Sequence, residues 1–278
     1  MSGTLDDDAP VEGAAINEAE STADLGVRVC MVAANKLSAA NIPACSIRPY
    51  CLFVAWNGVL TLVYEGFPPS LIQAKEIMSS SIPNLKKENF GSKWPKSTLA
   101  AVFDTAPEMT LAELTRLKDI CDTYSQRIQS GNNQEEKAKT DSAISMDIGK
   151  ISVVEYDCRS LEKLQSRVDV SLACHGHSPA GPSDEQQAIV QSVVNEWSTD
   201  LSNYLPKVNA PGSRMTSYRQ PMSGATCVTF LEMPESLRQI LVEFRIAVDL
   251  EFPGRYSWLA EKSWHCTLRS LDTTTASR

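Results

Sequence analysis

Two stretches of this chain follow one plan. EGFPPSLIQAKEI is followed by GSKWPKSTLAAV, and much later LEMPESLRQILVEF is followed by EKSWHCTLRSL. Each has an apolar strand, a proline that opens a helix carrying Ser-Leu, a loop, and a second strand entered past a tryptophan. Proline suits a first helical turn because its φ is already near the helical value and its missing N–H would be unpaired there anyway. The interval from Pro68 to Lys96 nearly equals that from Pro234 to His265, and both final strands carry Thr-Leu at one offset, Thr98-Leu99 and Thr267-Leu268. A structural unit repeated once at long range predicts two similar lobes packed face to face. The bland alternative is two ordinary β-α-β pieces, which share strand and helix starts in any case. The expected fold is α+β, a two-lobed β-α-β repeat around a central cleft.

The rest of the chain fits that plan. With 278 residues, 42% hydrophobic and 22% charged, it reads as an ordinary soluble globular protein with room for one large domain or two small lobes. Residues 1–46 are expected to be a flexible acidic tail and a helix, the helix from about Glu18 to Ala40 with Leu25, Val29, Val32 and Leu37 at helical spacing. A bilobal domain is expected over 47–274, with lobes of about 47–145 and 146–274. Asn57-Gly58, between YCLFVAW and VLTLVYEGF, tolerates the positive φ angles of a two-residue hairpin turn. TLAELTRLKDICDTYSQRIQ predicts an amphipathic helix with Leu111, Leu114, Leu117, Ile120 and Tyr124 on one stripe. DEQQAIVQSVVNEWSTDLSNYL predicts one long helix with an acidic start. Strands are expected at KSTLAAVF, ISVVEYDC, RVDVSLAC, TCVTFLEM and SWHCTLRSL. SGNNQEEKAKTDSA and NAPGSRMTSYRQPMSGA read as exposed linkers.

Charge and cysteine usage exclude several function classes. A net charge of −8 argues against a broad grip on long nucleic acid, which needs a basic surface, but allows a small nucleotide or RNA 3′ end in a local basic pocket. None of the eight cysteines has C-x-x-C spacing, so they are read as reduced thiols rather than a disulfide framework. His175 and His177, in CHGHS beside Cys174, lack a nearby carboxylate or cysteine cluster, and no metal and no other cofactor is expected. The acidic N-terminus has no apolar core and no Arg-rich pattern, and the most apolar run is interrupted by Asn57-Gly58. No membrane contact is expected, and the cytoplasmic compartment is the default.

In a strand, residues i and i+2 share a face. His265 and Thr267 therefore project together, away from Cys266 and Leu268. An imidazole can pass a proton near neutral pH, and a hydroxyl beside it can donate to a phosphate oxygen. His265-Cys266-Thr267-Leu268 resembles the H-x-T-[L] signature of the two-histidine phosphoesterases, the RNA ligase/cyclic nucleotide phosphodiesterase superfamily. FGSKWPKSTL is similar to a plant and algal branch of it. The resemblance spans roughly residues 47–272 and implies a bilobal α+β fold in which each lobe offers one H-x-[ST] strand to a cleft. It also implies that paired histidines act as acid and base on a 2′,3′-cyclic or 2′,5′ phosphodiester held by both hydroxyl residues.

This chain departs from the pattern at the first histidine, where Lys96 precedes Ser97-Thr98-Leu99. Lysine supplies a positive charge for phosphate. As a proton acceptor it is poor unless burial or neighbouring cations lower its pKa far.

The catalytic candidates are thus His265 as acid or base, Thr98 and Thr267 as phosphate holders, and Lys96 as a stabilising charge. Arg269, two residues past Thr267, is expected on the same face as a phosphate contact, with a surface ion pair as the rival. Trp94 and Trp264 are candidates to cap the cleft, although core packing is the commoner use of tryptophan. Tyr218 and Arg219 sit in a linker able to cover it. The expected function is a metal-independent phosphodiesterase acting on a cyclic nucleotide or RNA terminal phosphate. The alternative is a catalytically silent relative that binds a nucleotide, RNA end or protein partner, and a merely structural cleft is the third reading.

Overall fold

The computed structural model describes residues 22–88, 90–132, 144–173 and 181–273. The acidic tail before residue 22, most of the SGNNQEEKAKTDSA linker, and Cys174, His175 and His177 lie outside the described residues. Among the described residues the chain is α+β, with seven α-helices and three antiparallel sheets.

The hairpin at Asn57-Gly58 forms as the residues require. β2 (Pro49–Val54) and β3 (Leu60–Tyr64) pair antiparallel. The turn is the three-residue Trp56–Gly58 rather than two residues, closed by the Ala55 N–H donating to the Val59 carbonyl at 2.8 Å. Asn57 (φ 64°) and Gly58 (φ 76°) both take the left-handed region. A Cβ on Gly58 would also meet Val102 Cγ2 at 2.8 Å, so the glycine is required twice over.

β3 leads through Pro68 into α2 (Pro69–Ser81) and then β4 (Lys96–Val102). β8 (Gly224–Phe230) leads through Pro234 into α7 (Glu235–Glu251), and β10 (His265–Ser270) follows. In both cases the proline caps the helix start, and the flanking strands pair antiparallel. One four-stranded sheet runs β2-β3-β4-β9, where β9 is Tyr256–Trp258. The other runs β10-β8-β6-β7, with β6 at Lys150–Tyr156 and β7 at Leu164–Ser171. A small third sheet joins β1 (Cys45–Ile47) to β5 (Met146–Ile148).

The connections interlock these sheets. α2, though it links two strands of the first sheet, packs on β10 and on α1 (Thr22–Ala39), while α7 packs on α3 (Leu111–Asn132). α1 covers β6, β7 and β8 through Cys30, Ala33, Ala34 and Leu37, an i, i+3, i+4, i+7 face of mostly small residues that permits close approach to the sheet. α1 thus shares one hydrophobic cluster with the strands that follow Ile47. Likewise β9, from the expected second lobe, completes the first sheet. One hydrophobic cluster contains Leu62 and Leu99 from the first sheet together with Ile151, Cys227 and Leu268 from the second.

Three other expectations need correction. Leu111 is 41% exposed, because the buried stripe of α3 runs through Leu114, Leu117, Cys121 and Ile128 instead. The long helix breaks at Asp200, whose extended backbone (φ −149°) separates α4 (Asp184–Thr199) from α5 (Leu201–Asn209). The Asp200 carboxylate accepts from the Ser202 and Asn203 N–H groups, so an N-cap outcompetes helical continuation there. The second linker contains the short α6 (Met215–Arg219).

Candidate active site

The two motif strands repeat each other in detail. In β4, Lys96 and Thr98 are half-buried while Ser97 and Leu99 are buried; in β10, His265 and Thr267 are half-buried while Cys266 and Leu268 are buried. Both strands carry a bulge at the same offset. Thr98 pairs with Thr61 and Ala100 with Leu60, leaving Leu99 extra; Thr267 pairs with Val228 and Arg269 with Cys227, leaving Leu268 extra. A bulge bends a strand and re-aims the side chains beyond it.

Ser97 joins the strands across the two sheets. Its Oγ donates to the His265 carbonyl at 2.9 Å, and since a hydroxyl has one proton, the Tyr64 hydroxyl, 2.8 Å away, donates to Ser97. All three groups are at least partly buried, so Ser97→Ala leaves the Tyr64 hydroxyl without its acceptor. We expect a loss of about 1–3 kcal/mol in urea denaturation. Unchanged stability would show that water replaces the bridge.

Lys96, Thr98, His265 and Thr267 all line one cleft of about 360 Å³, the meeting place of the two sheets. Among the described residues no side chain bonds the Thr98 or Thr267 hydroxyl, which leaves both donors available to a ligand. Lys96 lies flat on Trp94, its Nζ 3.8 Å from the ring centre, and donates to the Gly91 carbonyl. Burial of the ammonium lowers its pKa from 10.5 to about 8, and the nearby Lys75 cation acts in the same direction. Lys75 itself donates to the Ser92 carbonyl at 2.7 Å, so two lysines hold the 90–92 turn beneath the cleft.

His265 is prepared differently. Its Nδ1 lies 2.7 Å from the Ser263 carbonyl, which can only accept, so Nδ1 carries the proton and Nε2 keeps its lone pair. Phe230 packs edge-to-face on the ring at 6.1 Å. Burial lowers the imidazole pKa below its ordinary 6.5, the Ser263 contact opposing only in part. At neutral pH the pair is therefore a neutral imidazole and a mostly protonated amine that is far more acidic than an ordinary lysine.

Arg269 does not join them. The bulge at Leu268 places it on the buried side, where its guanidinium donates to the Ser270 carbonyl at 3.2 Å and to the Lys86 carbonyl. It is 5% exposed, and Ser270 takes its place in the cleft. Trp264 is also absent from the lining and packs against the core. It stands one residue before His265, whereas Trp94 stands two before Lys96, and both precede their strands, so strand periodicity sets the direction of neither indole. Trp94 lines the cleft but seats Lys96 rather than capping the opening.

The lining also includes residues that no motif marked, namely Tyr156, Arg159, Leu161, Met222, Thr226, Leu259 and Asp272. Tyr218 is there too, as the linker suggested, but its neighbour Arg219 is tied into the wall through Glu162, Ser257 and Trp258. Among the described residues there is no group of three His, Cys, Asp or Glu side chains spaced to hold a metal ion, and no helix long and apolar enough to cross a membrane. Their seven cysteines are free and buried. Comparison of the chain with family models, curated proteins and solved structures finds no match, so the cleft must be read from its own geometry.

Proposed function

We propose that the cleft is the active site of a metal-independent phosphodiesterase acting on a cyclic nucleotide or an RNA terminal phosphate, in a two-lobed β-α-β repeat of the two-histidine phosphoesterase kind with lysine at the first histidine position. The observation that carries this reading is the convergence of Lys96, Thr98, His265 and Thr267 on one cleft from equivalent positions of two bulged strands. Two free hydroxyls and an ammonium suit a phosphate. Each hydrogen bond to its charged oxygens is worth about 1.5–3 kcal/mol.

The ionisation states support a division of roles in this reading. His265 Nε2, neutral, takes a proton from a water that attacks phosphorus. A P–O bond to the ribose breaks as Lys96 Nζ gives its proton to the departing oxygen. Thr98 and Thr267 donate to the non-bridging oxygens, and the product is a phosphomonoester. Proton exchange with solvent then restores both groups. Lys96 thus supplies both charge and an acid, a role its lowered pKa allows and a free lysine would perform poorly.

The test is an assay of the purified chain against 2′,3′-cyclic nucleotides and 2′,5′-linked dinucleotides with EDTA present. Turnover that survives chelator is expected. Binding of nucleotide without turnover would instead support the silent relative, which the Lys96 replacement favours. Loss with EDTA and recovery with zinc would turn attention to Cys174, His175 and His177.

A further inference from the structure

The second sheet ends on β7, an eight-residue strand whose outer edge is open. Consecutive residues of a strand send their backbone N–H and C=O groups to opposite sides. The Leu172 N–H donates to the Gly149 carbonyl at 2.8 Å, on the β6 side. The Ala173 N–H instead donates to the Ile42 carbonyl at 2.7 Å, and its carbonyl accepts the Ala44 N–H at 3.0 Å. Even-numbered residues of β7 therefore bond β6, while Gln165, Arg167, Asp169 and Ser171 point their backbone groups away from the sheet. Residues 42–44 close this edge only at Ala173. Among the described residues nothing bonds the outward backbone groups of the other four.

Such an edge is a template for another strand, and sheets commonly blunt it with charge. β7 carries charge, but in an order that complements itself. Arg167 and Asp169 are both exposed, two residues apart on one face. Arg167 Nε and Nη2 donate to the Asp169 carboxylate at 2.7 and 3.1 Å. That carboxylate also accepts Ser152 Oγ at 2.6 Å and lies 3.9 Å from Lys150 Nζ. Val168, on the opposite face, is half-buried against the core.

When a second β7 lies antiparallel beside the first, outward-bonding residues must meet one another, so both members of each hydrogen-bonded pair are odd-numbered. Centring the pair on Arg167 sets arginine against arginine, and centring it on Asp169 sets carboxylate against carboxylate. Centring it on Val168 sets Arg167 opposite Asp169 of the second copy twice, Gln165 opposite Ser171, and Val168 opposite itself. Opposite charges across strands are favourable and like charges unfavourable, so charge selects this last register.

We propose that the chain forms a two-fold dimer in which β7 pairs antiparallel with β7 of a second copy, centred on Val168, joining two four-stranded sheets into one of eight strands. A second copy is the occupant because an edge with this charge order is its own complement, as an isologous interface requires. Thr267, Val228, Ser152 and Asp169 are successive cross-strand partners and share a face. The two-fold axis of such a pair is perpendicular to the sheet, so both clefts open on the same side of the dimer. The inference is independent of the chemistry in the cleft.

Sedimentation velocity of the full chain over a concentration series should show 30.5 kDa converting to twice that mass. Arg167→Glu sets like charges opposite each other at two places and should raise the dimer dissociation constant about tenfold or more. Arg167→Glu combined with Asp169→Arg exchanges the order and should restore association, with circular dichroism showing that each variant is folded. In a Cys174→Ser background, Val168→Cys should form a disulfide-linked dimer on mild oxidation, because the two-fold brings its two Cα atoms to about 4.5 Å. Ser166→Cys should not, since Val170 stands opposite it. A single-chain mass at every concentration, which leaves the edge to a strand of another protein, overturns the interface. So does a dimer unchanged by Arg167→Glu, or a failure of Val168→Cys to crosslink. Should Arg167→Glu not fold, the double exchange and the crosslink decide the same question.

Discussion

His265→Ala is expected to lower kcat by about 10²–10⁴-fold, the usual contribution of a positioned acid or base. Nucleotide product should still bind, because Lys96, Thr98 and Thr267 remain on the cleft wall. The wild-type pH profile carries the same information. His265 works as a base in its neutral form, and burial holds its pKa below 6.5, so kcat/KM should rise with pH on an acid limb lying below 6.5 and then level off. That limb should vanish in whatever activity His265→Ala retains. An acid limb that persists unchanged in the variant would assign it to another group, and a variant with wild-type kcat would remove His265 from the chemistry.

Lys96 yields the second large effect and separates charge from proton transfer. Lys96→Arg keeps a cation but replaces an amine of pKa about 8 by a guanidinium that does not release its proton near neutral pH. We expect kcat to fall about 10²-fold or more with product affinity held within a few-fold. The wild type should lose activity as pH rises through about 8, where the acid deprotonates, and the variant should lack that limb. Full activity in Lys96→Arg would reduce Lys96 to a fixed charge.

Stability should move the other way. The folded pKa of Lys96 lies below its unfolded value of 10.5, so folding opposes protonation; the cost is fully present below about pH 8 and disappears above 10.5. Lys96→Met, which retains an unbranched side chain against Trp94, should therefore stabilise the fold at pH 7 by ~1–3 kcal/mol while abolishing turnover. The gain should shrink as pH approaches 10.5. A destabilised Lys96→Met at pH 7 would mean that the Trp94 and Gly91 contacts outweigh desolvation.

What the sequence determined by itself was local. Period-2 alternation put His265 with Thr267 and Lys96 with Thr98, the prolines at 68 and 234 started two helices, and Asn57-Gly58 turned a hairpin. These outcomes depend on φ restrictions and side-chain periodicity within a few residues, which the amino-acid order contains directly. Both bulges fall at the repeated Thr-Leu, but a bulge is defined by its partner strand, and only pairing with β3 and β8 made Leu99 and Leu268 the extra residues. From there the tertiary structure decided. The same alternation argument that placed Thr267 failed two residues later, because the bulge turned Arg269 inward, and it does not reach Trp94 or Trp264, which precede their strands. β9 is three residues long, too short to show a period, and forms because β4 offers it an edge. The pKa of Lys96 depends on how much water its neighbours exclude, a property of packing among Trp94, Lys75 and the 90–92 turn. Arg159 and Leu161 carry no motif, and they share a lining with Lys96 and His265 only when both sheets have formed.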